Sequence, residues 1–81
     1  MTKEEVKQKI DTFLTEELEI EPYKLSENAL LKEDVGIDSL DYVDIVAFIL
    51  RNFKFKANIS AMKNVMTLDG LYEYIYRNQK I

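Results

Sequence analysis

Apolar residues recur at helical intervals in three stretches of the chain, with polar segments between them. The first stretch carries its apolar side chains at Val6, Ile10, Phe13, Leu14 and Leu18. This spacing lines them up on one face of a helix. Thr2 and Glu5 have the spacing of a capping box, in which two side chains bond the unpaired backbone N–H groups of a helix start. We therefore predict a first helix over residues 3–18.

The second stretch follows Asp38, a residue type that caps helix N-termini well, and Asp41 suits the positive first turn. The pattern predicts a helix from there to about Phe53. Apolar residues occupy two opposite sides of this helix. The larger set is Ile45, Phe48, Ile49 and Phe53, and the second set is Leu40, Val43, Ala47 and Leu50.

A surface helix in a small bundle normally needs only one apolar side for its core. We expect the larger set to face inward and the second set, which starts beside Ser39, to be a contact surface for a partner. The alternative is a central helix that is buried on most sides. Exposure of Leu40 and Leu50 in the free domain distinguishes the two, because a central helix buries both.

The connection between these helices contains the only proline, Pro22, and a polar run at Ser26, Glu27 and Asn28. These residue types predict a long loop that ends near residue 38. Three leucines are placed to hold the loop against the core, at Leu25, Leu30 and Leu31.

The third apolar stretch lies near the end of the chain, where Thr67 is a good N-cap and Asp69 falls in the first turn. Its apolar face consists of Leu68, Leu71, Tyr72 and Ile75. A short third helix is predicted near Ser60–Asn64. The predicted fold is all-α: a small four-helix bundle with a long loop between helices 1 and 2, formed as a single domain by residues 1–81.

Composition argues against several classes of function. The 81 residues include no cysteine and no histidine, so thiolate chemistry and the commonest general base and metal ligand are missing. We therefore expect no catalysis and no metal site. Eleven basic and fifteen acidic residues give a net charge of −4, which disfavours nucleic-acid binding. No apolar run is long enough to span a membrane and the charged N-terminus is no secretory signal. A cytoplasmic monomer is the expectation.

Residues 31–40, Leu-Lys-Glu-Asp-Val-Gly-Ile-Asp-Ser-Leu, hold the chain's most informative chemistry. Here Ser39 stands where a loop containing Gly36 gives way to the second helix. Backbone N–H groups at a helix start are unpaired and the helix dipole is positive there, so an anion is stabilised. The hydroxyl of Ser39 is therefore well sited to carry a phosphate group.

The same ten residues resemble the signature of the acyl carrier protein family, with its Asp-Ser-Leu attachment site at residues 38–40. The tripeptide alone is weak evidence. The evidence becomes strong when three further features are added: Leu31, Asp34 and Gly36 stand at the positions that the family signature has before the tripeptide, the chain is acidic overall, and its length fits the family. The resemblance covers the whole chain and implies the helical fold predicted above.

The resemblance implies that Ser39 is joined to 4′-phosphopantetheine, which a separate phosphopantetheinyl transferase takes from coenzyme A. The thiol of this arm holds an acyl group as a thioester, so the carrier needs no cysteine of its own. Asp38, Leu40 and Gly36 are the other residues expected at the cofactor site. For Asp38 two roles stay open: capping the helix, or helping to hold the metal ion that the transferase uses.

Partners implied by the family are the transferase, acyl-activating or acyl-transferring enzymes and ketosynthase-type enzymes. The residues expected to contact them are Asp41, Val43, Asp44, Ala47, Leu50 and Arg51. A long acyl chain would lie between the helices, in an apolar cavity with candidate lining residues Ile45, Ile49, Val65 and Leu71. Residues with this pattern are more often plain core.

The charge distribution departs from that of typical family members, which are acidic along helices 2 and 3. From Ile45 to Met66 the chain has no acidic residue, and its cations are Arg51, Lys54, Lys56 and Lys63. Charge complementarity controls encounter rate and partner choice. Our hypothesis is that this carrier serves a specialised fatty-acid, lipid or polyketide-type pathway, the alternative being a merely solvated basic face.

Two other functions remain open on the sequence. The same fold and serine serve aminoacyl and peptidyl carriers, including D-alanyl carriers, and fold alone does not decide the cargo. From another class, the chain fits an unmodified helical interaction module that binds a partner helix through the Leu40–Leu50 side of helix 2.

Overall fold

The computed structural model describes all 81 residues and contains four α-helices. They are α1 (Lys3–Glu16), α2 (Ser39–Phe53), α3 (Ile59–Met62) and α4 (Leu68–Asn78). A 3₁₀ turn, Pro22–Lys24, and a single π-helical turn, Leu31–Val35, lie in the long connection between α1 and α2. The all-α prediction, with four helices and a long first connection, is confirmed.

Helix α1 begins with the predicted capping box. The hydroxyl of Thr2 accepts a hydrogen bond from the N–H of Glu5 at 3.2 Å, and the Glu5 carboxylate accepts one from the N–H of Thr2 at 2.8 Å. The helix ends at Glu16, two residues before the predicted end. The reason is a left-handed residue, Glu19 with φ of 56°, which turns the chain away from the helix axis.

The connection from α1 to α2 is more ordered than the predicted loop. Its π turn is stabilised locally, because the Asp34 carboxylate accepts a hydrogen bond from the N–H of Leu30 at 2.8 Å. Leu31 is buried, whereas Leu25 and Leu30 are half-buried. The prediction that leucines hold the connection against the core is therefore confirmed for Leu31 and Leu25, whereas Leu30 does not pack against the core.

Backbone hydrogen bonds also tie this connection to the start of α4. The N–H of Leu31 donates to the carbonyl of Met66, and the N–H of Leu68 donates to the carbonyl of Ala29, each at 2.9 Å. Residues distant in sequence thus hold the segment before Ser39 in place. The predicted third helix is shifted slightly, because Asn58 caps α3 by accepting from the N–H groups of Ser60 and Ala61.

Helix α2 buries one side only. Ile45, Ile49 and Phe53 are buried, and Phe48 stacks on Phe13 of α1 with ring centroids 4.3 Å apart. Each fully buried large apolar side chain contributes about 1.5–3 kcal/mol. On the other side Leu40 is 78% exposed and Leu50 is 50% exposed, which excludes a central helix buried on most sides.

A polar cluster joins α1 to α4. The hydroxyl of Tyr72, a residue otherwise buried in the core, donates a hydrogen bond to the Asp11 carboxylate. The ammonium of Lys7 bonds the same carboxylate at 2.9 Å and lies 5.6 Å from the Tyr72 ring centroid. Burial first, and then the bond to Asp11, raises the pKa of Tyr72 well above its usual range.

We predict that Tyr72→Phe lowers the free energy of unfolding by about 1–2 kcal/mol at neutral pH, because Asp11 loses a hydrogen-bond donor. The folded-state pKa of Tyr72 is raised, so its stabilisation is complete below about pH 10, the usual phenol pKa, and is lost as the pH rises further. Stability above this pH should therefore fall less steeply in the variant than in the wild type. Urea unfolding at neutral and alkaline pH measures both effects.

Tyr76→Phe is the matched control, since Tyr76 lies on the same helix with its side chain exposed. The control should stay within about 0.5 kcal/mol of the wild type. Equal losses in both variants would contradict the structural role of the Tyr72–Asp11 bond.

Candidate functional site

Ser39 is the first residue of α2, and its side chain is exposed. The helix begins there because Asp38 and Asp41 form a reciprocal cap. The N–H of Asp41 donates to the Asp38 carboxylate at 3.0 Å, and the N–H of Asp38 donates to the Asp41 carboxylate at 3.1 Å. The cap therefore fixes the backbone on both sides of Ser39 and leaves the hydroxyl facing solvent.

Electrostatics at this helix start act in two directions. The N–H groups of Ser39 and Leu40 belong to the first turn and have no partner within the helix, and the positive end of the helix dipole favours an anion there. The carboxylates of Asp38 and Asp41 lie in the same turn and oppose a second anion. No group of three acidic side chains is arranged to hold a metal ion.

Gly36 is needed for its backbone conformation. Its φ is +90°, in the left-handed region, and no atom lies within 4 Å of the position that a Cβ would occupy. The glycine therefore allows the sharp end of the π turn, and its neighbour Ile37 is buried. This turn and the buried isoleucine lead the chain directly into the cap at Asp38.

An open groove of about 670 Å³ lies beside Ser39. Besides Ser39, its lining includes Gly36 and Ile37 from the turn, Tyr42 from α2, and Val65 and Met66 from the segment before α4. Burial, and then the charge of Glu33, raises the pKa of Tyr42. The groove offers apolar surface directly next to the serine.

The residues expected to line an acyl cavity divide into two groups. Ile45, Ile49 and Leu71 are buried in the core and line none of the three grooves of the protein. Val65 is half-buried and lines the groove beside Ser39. The four residues therefore do not together line an open cavity in this structure, and their contact with an acyl chain stays a prediction. A helical apolar pattern is the same for close-packed core residues and for cavity walls, so the sequence could not distinguish them.

The expected partner-contact residues lie mostly on one side of α2. Val43 is 54% exposed, and the side chains of Asp44, Ala47, Leu50 and Arg51 are exposed as well. The highly exposed Leu40 continues this surface to the end of the helix next to Ser39. We call these six residues the outer face of α2. Asp41 lies at its edge, because its carboxylate is engaged in the cap.

Sequence reasoning missed several residues around the site. Tyr42, Lys63 and Met66 all line the groove beside Ser39, and tertiary contacts that leave no local pattern bring them there. It also missed a larger groove of about 750 Å³ between α1 and α2, which is lined in part by the stacked pair Phe13 and Phe48. This second groove borders the outer face at Asp44, Ala47 and Arg51.

The fold and the site together define a small helical protein that presents one serine at an exposed helix start. Comparison with known proteins agrees, although no protein-family model matches the chain. The acyl carrier protein of Cyanidioschyzon merolae is 30% identical over 80 residues, 99% of this chain and 88% of the relative. That of Thermotoga maritima is 30% identical over 91% of each chain, and that of Phytoplasma mali is 32% identical over 88% and 84%.

The chain therefore belongs to the acyl carrier protein family. Members of this family are carriers rather than enzymes, and they interact with acyl-handling enzymes. The carrier role agrees with the absence of cysteine and histidine. None of the helices combines the length and the apolar character that a membrane-spanning segment requires.

The cap predicts the effect of changing Asp38. Asp38→Ala removes the acceptor for the N–H of Asp41 and should lower the free energy of unfolding by about 1 kcal/mol. Asp38→Asn keeps an acceptor oxygen and should stay close to the wild type, since asparagine and aspartate cap almost equally well. Urea unfolding at neutral pH, with Asp44→Ala as the exposed control, measures these differences. An alanine variant as stable as the asparagine variant would contradict the cap.

Proposed function

We propose that the Ser39 oxygen is the attachment point of 4′-phosphopantetheine. The observation that carries the proposal is the exposed serine at the first residue of α2, between the two residues of the Asp38–Asp41 cap. When bound, the arm supplies a thiol on which an acyl group is held as a thioester. The chain's own contribution is to hold the serine at a fixed, accessible point on a rigid helix.

The surrounding residues fit such a group. The free N–H groups of the first turn favour a phosphate on Ser39, and Gly36 leaves open space nearby. The groove beside Ser39 gives the arm an apolar surface to lie against, and Gly36 is part of its lining. Leu40, the residue after the serine, is exposed outside this groove. Asp38 acts as the helix cap, and its second expected role, helping to hold the metal ion of the transferase, stays a prediction.

No catalytic base of the chain is required for this function. The hydroxyl of Ser39 has neither histidine nor cysteine to activate it, because the chain contains none. We infer that a phosphopantetheinyl transferase supplies the catalytic groups for attachment. The other proposed partners are acyl-activating, acyl-transferring and ketosynthase-type enzymes. The cytoplasmic location expected from the sequence also stays a prediction.

We infer that the cargo is an acyl group, in keeping with the name of the relatives, and that it lies at the surface. Ile45, Ile49 and Leu71 fill the interior between the helices. The groove beside Ser39 is open, and Val65 and Met66 provide apolar contacts there. This arrangement supports cargo that is short or that remains outside the core.

We also propose that the carrier serves a specialised fatty-acid, lipid or polyketide-type pathway. The support is the run of exposed cations after the acidic start of α2, formed by Arg51, Lys54, Lys56 and Lys63. Like charges placed opposite each other disfavour a partner, so a partner selected for an evenly acidic carrier is a poor match. A dedicated set of partner enzymes resolves this mismatch.

The first test is intact mass after incubation with coenzyme A, magnesium and a broad-range phosphopantetheinyl transferase. The wild type should gain the mass of one phosphopantetheine, and Ser39→Ala should gain none. Ser60→Ala is the matched control, because Ser60 is also exposed near a helix start. It should be modified to the same extent as the wild type.

Absence of any mass gain in the folded wild type would favour the unmodified interaction module over the carrier. A gain that persists in Ser39→Ala would assign the attachment to another residue. Circular dichroism of each variant checks that a missing gain does not reflect loss of the fold.

The second test concerns the cargo. Thioesters of increasing acyl length on the loaded carrier are exposed to hydroxylamine, and their cleavage is followed by mass. We expect little added protection with length, because the core lacks an open cavity between Ile45, Ile49 and Leu71. Protection that rises steeply with chain length would show that the helices separate to enclose the cargo, and would overturn a surface position.

A further inference from the structure

Along α2, the charges on the outer face and at the two ends of the helix change sign. Asp38, Asp41 and Asp44 lie at the cap and in the first two turns, Arg51 lies in the last turn, and Lys54 is the C-cap residue. With a rise of 1.5 Å per residue, Arg51 lies about 18 Å from Ser39 along the helix axis. Between the two charged ends lies an exposed apolar strip, Leu40, Val43, Ala47 and Leu50.

None of these charges takes part in an ion pair inside the molecule. The four ion pairs of the protein join Lys3 to Asp69 and Glu73, Lys7 to Asp11, and Arg77 to Glu73. The cations at the end of α2 and the acidic residues at its start therefore have no ion-pair partner within the chain. Asp38 and Asp41 use their carboxylates in the cap, whereas Asp44, Arg51 and Lys54 are exposed and available to a second molecule.

The helix dipole alone does not account for this arrangement. It favours acids at a helix start and bases at its end, by about 0.3–1 kcal/mol for each charge. Yet α1 has no basic residue in its last turn, and Arg77 near the end of α4 is paired with Glu73. The dipole also gives no reason for Lys56, which lies between α2 and α3, or for an exposed apolar strip between the charges.

The expected partner contacts already lie on the outer face of α2, and we propose that the partner enzyme has, besides a basic surface near Ser39, an acidic surface about 18 Å away, opposite Arg51 and Lys54. This inference rests on the carrier function proposed for Ser39. The apolar strip provides the buried centre of the contact, and the charges at its two ends fix the direction in which the helix lies on the partner. Charge of one sign at both ends does not fix that direction.

A second copy of the chain also complements this surface, since two antiparallel α2 helices bring Asp44 of each near Arg51 of the other. Such a dimer occupies the outer face of α2, the surface next to Ser39 that an enzyme acting on the serine has to approach. We therefore assign the surface to an enzyme partner. Light scattering at high protein concentration tests this choice, and the expected result is a monomer. A stable dimer that is lost on Arg51→Glu would overturn the proposal.

The docking test uses a broad-range phosphopantetheinyl transferase as the probe, in two forms. The two forms differ in the part of the transferase surface that faces Arg51 and Lys54 when the catalytic site faces Ser39. One form is basic in this part, and the other has glutamates there. Each is combined with the wild-type carrier, with Arg51→Glu, and with Lys24→Glu. Lys24 is exposed in the 3₁₀ turn of the first connection, outside α2, and its replacement makes the same change in net charge.

At low ionic strength we expect the wild type to prefer the glutamate form by about fivefold in kcat/KM, as for a well-placed exposed ion pair. The preference should reverse for Arg51→Glu and persist for Lys24→Glu. It should shrink as salt is raised, because exposed charges are then screened. Equal rates with both forms, or the same reversal in Lys24→Glu, would overturn the proposed docking direction.

Failure of the docking proposal can be told apart from failure of the proposed function. Complete modification by both transferase forms without charge discrimination refutes the docking direction alone. Absence of any phosphopantetheine gain with excess of either form refutes the attachment at Ser39 and the docking proposal with it.

Discussion

One-sided burial of α2 is the constraint on which the rest of the structure depends. Ile45, Ile49 and Phe53 are removed from water, and the hydrophobic effect therefore fixes the rotation of the helix about its axis. The opposite side must then face solvent. The Asp38–Asp41 cap sets where the helix begins. Rotation and starting point together determine that Ser39 lies exposed at the end of a rigid element.

The same constraint accounts for how little chemistry the chain itself needs. A carrier presents its attachment residue and leaves bond formation to other enzymes, so an exposed hydroxyl is enough. The side of α2 that faces solvent is then available for recognition. It combines an exposed apolar strip with opposite charges at the two ends of the helix. Attachment and partner choice thus belong to one helix.

Much of this arrangement was predictable from local sequence. The bounds of α2 and its cap followed from Asp38, Asp41 and the apolar spacing, because capping and amphipathicity act over one or two turns. The end of α1 was predicted two residues late, since nothing near Leu18 signalled the left-handed Glu19. The groove beside Ser39 was not predictable from local sequence. Its lining residue Met66 is held there by a long-range hydrogen bond, which the N–H of Leu31 donates to the Met66 carbonyl. Nor could apolar spacing reveal that Ile45 and Ile49 pack closely.

The most direct test of the account is to map the modification within the chain. Trypsin cleavage after Lys32 and Arg51 releases residues 33–51, a peptide in which Ser39 is the only serine and threonine is absent. After reaction with coenzyme A and the transferase, fragmentation of this peptide should locate the phosphopantetheine on Ser39, with every other peptide unmodified. An unmodified 33–51 peptide from protein that has reacted, or the group on any other residue, would contradict the central claim.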